Sequence, residues 1–302
     1  MIRHLTTNCP LLGDLTLDSC NKFSDLIIDI ANPNITSLDI FEFYGTKADT
    51  AIEICAPNLQ SLGFHCYLPR VQYRVKDALS LVTASFSFDS ESLNLDFVYD
   101  KDDCEYYLVE LLGNLCHVKH LRICRYLVQI WTCFYVLSIR GVQKYKLLSF
   151  DATCLKLETE LTKWELPGIS YLLKGSSNLH HLEISYPEFR EEIKLSDDFK
   201  GAYAFEEKGF WESQKCDLAP VLQNLTHISF YFLSDTGQNA NVAGCMGRLE
   251  NKIEFVGFLF KNLQALESMV IAYGRNTEIR SKIMEMLTAL PRVSPRIRIE
   301  VI

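Results

Sequence analysis

Residues 178–184 read "NLHHLEI", and the spacing inside this stretch decides the fold. An apolar residue is followed by two variable ones, an apolar one, a variable one and a final apolar one. The pattern returns as "LGDLTL" (12–17), "ITSLDI" (35–40), "LQSLGF" (59–64), "VKHLRI" (118–123), "LHHLEI" (179–184), "LTHISF" (225–230) and "LESMVI" (266–271). Two weaker copies, "TASFSF" (83–88) and "YKLLSF" (145–150), fill the larger gaps. The nine starts are separated by 23, 24, 24, 35, 27, 34, 46 and 41 positions. The early spacings match leucine-rich repeats, and the later ones require insertions.

Side chains along a strand alternate between faces. In "LHHLEI", Leu182 and Ile184 therefore point into a core while His181 and Glu183 point outward. Each buried aliphatic contributes about 1.5–3 kcal/mol. One such unit cannot hide its apolar side alone, so stacking on neighbours is what stabilises it. The expected fold is an α/β leucine-rich-repeat solenoid, a curved parallel sheet with helices and loops on the convex side.

Return helices are expected over 105–115, 166–175, 251–263 and 277–291, with Pro167 near one start and Pro291 closing the last. "RIRIEVI" (296–302) alternates as a terminal strand. The most apolar long run, "LVQIWTCFYVLSI" (127–139), is too short to span a bilayer and reads as a buried strand with its flanks. Residues 186–217 hold nine acidic and five basic residues, which suits a solvated connection. The domain reading is thus repeats over 1–185, a charged connecting segment over 186–209 and C-terminal repeats over 210–302.

Bulk composition narrows the function. The formal charge of -8 argues against a broad attraction to nucleic acid. The eleven cysteines contain no C-x-x-C pair, which points to reduced thiols and a cytoplasmic or nuclear protein. No signal peptide is expected at the N-terminus, and no membrane partner. Neither a G-x-S-x-G elbow, an H-E-x-x-H helix nor a P-loop occurs. No catalytic residue, metal site or cofactor is therefore expected, and the chain reads as a non-enzyme. Trp164 and Trp211 read as large apolar fillers. Cys20, Cys66 and Cys124 lie at or near the Asn/Cys position that follows a repeat strand.

The outward positions form the candidate partner-binding face: Asp14 and Thr16, Ser37 and Asp39, Ser61 and Gly63, His120 and Arg122, His181 and Glu183, and His227 and Ser229. His120, His181 and His227 share one outward position in three repeats, which suggests a partner-binding or pH-sensitive concave surface.

Several pieces then resemble the plant F-box/leucine-rich-repeat proteins with a C-terminal FBD region. They are "FWES" (210–213), "LQNLTHISF" (222–230), "IEFVGFLFKNLQALESMVI" (253–271) and "LTALPRVSPRIRIEV" (287–301). Upstream, "NCPLLGDLTLDSC" (8–20) and "CAPNLQSLGF" (55–64) look like that family's repeat openings. The resemblance implies the substrate-binding arm of a Skp–cullin–F-box ubiquitin ligase receptor, with a protein target as partner. Met1 stands eleven residues before Leu12, so the chain is expected to lack the adaptor-docking F-box. An adaptor partner is expected only if an F-box exists upstream. The alternative is a free-standing repeat scaffold or competitor with no ligase role.

Overall fold

A computed structural model of the chain describes residues 7–19, 26–30, 32–41, 50–67, 71–89, 102–139, 147–186, 208–231, 242–272, 277–291 and 298–301. They fall into two compact units, one within 1–122 and the other beginning at Ile123. The charged segment 186–209 lies almost entirely outside the described residues.

In the first unit the repeat strands are β1 (Asp14–Asp18), β3 (Ser37–Phe41), β5 (Ser61–Tyr67), β7 (Thr83–Asp89) and β8 (His120–Ile123). They lie side by side in chain order, and β1 with β3, β3 with β5 and β5 with β7 pair in parallel. Each register pairs equivalent positions, Leu38 with Leu62 and Ile40 with Phe64, so the apolar positions align on one face. Leu38, Ile40, Leu62, Phe64, Ala84 and Phe86 are fully buried.

A tight turn leads into each strand. The amides of Ile35, Leu59, Leu81 and Val118 donate to the carbonyls of Asn32, Ala56, Ala78 and Leu115, each three residues earlier. One carbonyl per repeat then takes two amides from the next, as when Gln60 N and Ser61 N both reach Thr36 O at 2.8 and 2.9 Å. Asn34 Nδ2 donates to Pro10 O at 2.6 Å, which ties the second turn to the first.

The return path of the first repeats is itself a sheet. β2 (Leu26–Asp29), β4 (Thr50–Cys55) and β6 (Val71–Lys76) pair in parallel. Ile52, Ile54, Tyr73 and Val75 face inward from it. Phe64 meets Tyr73 edge-on at 4.7 Å and stacks near Phe86 at 5.5 Å, which joins the two layers. The period-2 alternation of "AIEIC" and "VQYRV" specifies these strands, where helices and loops were expected. Helix α1 (Asp102–Asn114) packs beside β6.

In the second unit β9 (Cys154–Glu158), β10 (His181–Ser185), β11 (His227–Tyr231), β12 (Ser268–Ala272) and β13 (Arg298–Val301) run parallel in chain order. Helices α2 (Arg125–Ile139), α3 (Leu166–Gly175), α4 (Phe210–Ser213), α5 (Lys215–Asn224), α6 (Val242–Asn262) and α7 (Thr277–Ala289) supply the returns. Trp211 fills the layer beneath α6, with its ring 4.3 Å from Phe255 and 6.0 Å from Phe258.

Three readings are corrected here. The copy expected at "TASFSF" (83–88) lies two residues earlier, as "LVTASF" (81–86), because Leu62 pairs with Ala84 and Phe64 with Phe86. Residues 127–139 belong to helix α2, not to a strand. Leu127, Val128, Ile130 and Trp131 are all buried, so apolar residues occupy most of the helix surface there and neither period stands out. The strand expected at "YKLLSF" (145–150) is not found in its described part: residues 147–150 have no regular structure, and the strand follows at Cys154. The true copy is "ATCLKL" (152–157), whose first apolar position is an alanine, Ala152, fully buried.

Candidate functional site

The outward positions form register rows. In the first unit Asp14, Ser37, Ser61 and Thr83 make one row, and Thr16, Asp39, Gly63 and Ser85 make the next. Asp14 and Thr16 are exposed, while Ser37, Asp39 and Ser61 are half-buried. On β8, His120 is exposed and Arg122 half-buried. In the second unit Cys154, His181, His227, Ser268 and Arg298 form one row, and Lys156, Glu183, Ser229, Val270 and Glu300 the next.

The histidines take different environments. His181 lies directly opposite His227, with ring centroids 6.2 Å apart. His120 belongs to the first unit. His180, just before β10, is exposed, and its Nδ1 lies 3.0 Å from Asn224 O. A carbonyl only accepts, so that nitrogen carries the proton. Ser229, expected to be open, is 8 % exposed because its neighbours on β10 and β12 crowd it.

Further residues of the face escaped the sequence reading. Lys156 Nζ contacts Glu183 Oε1 at 2.5 Å, a pair hidden by the misplaced copy at 145–150. Phe41, His65 and Tyr231 occupy a third outward position, one step past the end of the six-residue pattern. Phe41 stacks on His65 with centroids 4.4 Å apart and planes 8° from parallel. His65 Nε2 stands 3.7 Å from Asp39 Oδ1.

The chemistry of these groups is that of contacts. Burial, with Glu183 beside it, pushes the Cys154 thiol above its ordinary range, so the nucleophilic thiolate is disfavoured. No group of three metal-ligating side chains gathers among the described residues. None of their helices is long and apolar enough to cross a membrane.

A charged cluster inside the second unit serves structure. Arg125 Nε donates to Glu165 Oε1 at 2.8 Å, and Glu160 Oε1 lies 3.4 Å from Arg125 Nη1. Glu165 Oε2 accepts from the amide and the hydroxyl of Thr162, both at 2.8 Å. Burial works against the Arg125 charge, but Glu165 and Glu160 outweigh it and hold the guanidinium above its ordinary value. The cluster fixes the turn before α3 against the start of α2.

No family model matches the chain. Two F-box/LRR-repeat proteins of Arabidopsis thaliana are similar to it. One is 25% identical over 269 residues, which is 87% of this chain and 51% of the relative. The other is 24% identical over 279 residues, 90% of this chain and 52% of the relative. The chain therefore spans about half the length of these curated relatives. In sequence along most of its length, and in its succession of parallel repeat strands, the chain is similar to the plant F-box/leucine-rich-repeat proteins.

Proposed function

We propose that this chain is a protein-recognition module, resembling the substrate-binding arm of a Skp–cullin–F-box ubiquitin ligase receptor. The outward rows supply the binding surface, and any ubiquitin transfer belongs to other subunits. The chain itself is then not an enzyme, and its FBD-like tail over 210–302 extends the recognition repeats. It works in the cytoplasm or nucleus, where its many thiols stay reduced.

One observation carries this reading: in-register rows of mostly polar side chains on parallel strands whose opposite face packs into the core. Such a surface is large and rigid, and its side chains vary from repeat to repeat without disturbing the core. Affinity purification of the complete gene product, with identification of adaptor and target, tests it. Recovery of a protein target together with the adaptor is expected. A target without an adaptor assigns the free-standing scaffold instead. Reproducible turnover by the purified chain, abolished by one point substitution, would overturn the non-enzymatic reading.

A further inference from the structure

Among the described strands β13 is the last of the ten-stranded sheet, paired with β12 along one side. The Arg298 amide donates to Glu267 O at 3.0 Å, toward β12. Successive residues of a strand turn their amide and carbonyl to opposite edges, so Ile299 presents its N–H and C=O away from β12.

The apolar layer thins at the same strand. Leu155, Leu182, Ile228 and Met269, which share the register row of Ile299, are at most 1 % exposed, whereas Ile299 is half-buried. On the outward face of β13, the Arg298 and Glu300 side chains keep 80 % and 51 % of their surface exposed. Their own contact, Nη2 to Oε2, spans 3.8 Å, too long for a hydrogen bond.

We infer that β13 pairs with β13 of a second copy of this chain, antiparallel about a two-fold axis at Ile299. Each Ile299 then donates its amide to the other's carbonyl, the closely spaced hydrogen-bonded pair of an antiparallel ladder. The same axis sets Arg298 of each copy directly across from Glu300 of the other, so two opposite-charge pairs form on the outward face. Charges on an edge strand ordinarily oppose such pairing. An arginine and a glutamate two positions apart instead make this edge complementary to its own inverse, as an isologous contact requires. The neighbouring registers are worse. Centring on Glu300 would oppose two carboxylates, centring on Arg298 two guanidiniums, and a one-residue slip would put the two cores on opposite faces of the joined sheet. A single strand pair is a small interface, so the dimer is a weak one, in the micromolar range. None of this depends on the recognition reading.

Sedimentation velocity of the full chain across the micromolar range tests the pairing, and a concentration-dependent shift from monomer to dimer is expected. Arg298→Glu and Glu300→Arg, each alone, place like charges opposite one another at both sites and should weaken the dimer at least about tenfold. An equimolar mixture of these two variants rebuilds both opposite-charge pairs and should dimerise as the wild type does. Ile299→Pro removes the amide donated at the axis, at an edge position where proline is tolerated, and should abolish the dimer. Melting curves check that each variant is folded. If Ile299→Pro melts early, the two charge variants decide, since both substitutions lie on the surface.

A monomer at every concentration overturns the inference. So does a dimer that either single charge reversal leaves unchanged, which assigns the contact to another face. Weakened single variants whose mixture stays monomeric overturn it as well, because the antiparallel register demands their mutual rescue.

Discussion

Arg125 and Glu165 meet inside the second unit, where Nε donates to Oε1 across 2.8 Å and Glu165 has no exposed surface. Removing the guanidinium leaves two carboxylates, Glu165 and Glu160, in a setting that cannot hydrate them. Arg125→Met should therefore destabilise the chain by about 3–5 kcal/mol. Urea unfolding measures this, and a midpoint within error of wild type would contradict the buried pairing.

Gly168 permits the close approach of α3 to α2. A Cβ there would lie 1.9 Å from the Val128 carbonyl oxygen, and the Gly168 amide donates to Thr132 Oγ1 at 3.0 Å. Backbone cannot yield as a flexible side-chain tip does. Gly168→Ala should cost about 1–3 kcal/mol by forcing the helices apart, although alanine is the better helix former. A thermal melt that rises on this substitution would show the helices are not packed this way.

The thiols should react in an order set by their surroundings. Cys9 and Cys216 are exposed, whereas burial, with a carboxylate beside each, raises Cys154 and Cys55 above the ordinary thiol range. A raised thiol stays protonated to higher pH in the folded chain than in the unfolded one. Its contribution to stability is full below the unfolded value and is lost as pH rises through the folded value. Timed iodoacetamide labelling with peptide mapping at neutral pH should modify Cys9 and Cys216 several-fold faster. Labelling of Cys154 at their rate would refute the shift.

The outward histidines give a prediction for binding. His227 is exposed and faces the half-buried His181 across adjacent strands. If this row contacts the partner, changing His120, His181 and His227 together to Ala should weaken binding at least about fivefold, as for an interface residue worth over 1 kcal/mol. Unchanged partner affinity at every pH tested would remove these residues from the recognition surface.

The repeat was legible because its signal is local. Leu182 and Ile184 flank Glu183 in three consecutive positions, and a strand places them on one face whatever surrounds it. Of the ten described repeat strands, eight were read in register, β13 included, and β7 was found but read two residues late. The tenth was lost at Ala152, where a small residue opens the pattern, while Leu147, which suggested the false copy, is 46 % exposed. The apolar run 127–139 carried no period to distinguish helix from strand; its packing against α3, with Trp131 stacked on Tyr171 at 4.6 Å, settles the matter.

The sequence alone determined the class of fold and the identity of most outward residues, since both follow from alternation within a few positions of chain. Tertiary structure decided which outward residues meet. Asp39 reaches over Gly63 toward His65, and Lys156 finds Glu183, because parallel register sets distant repeats side by side. Register is a relation between strands separated by tens of residues, and no single stretch of chain encodes it.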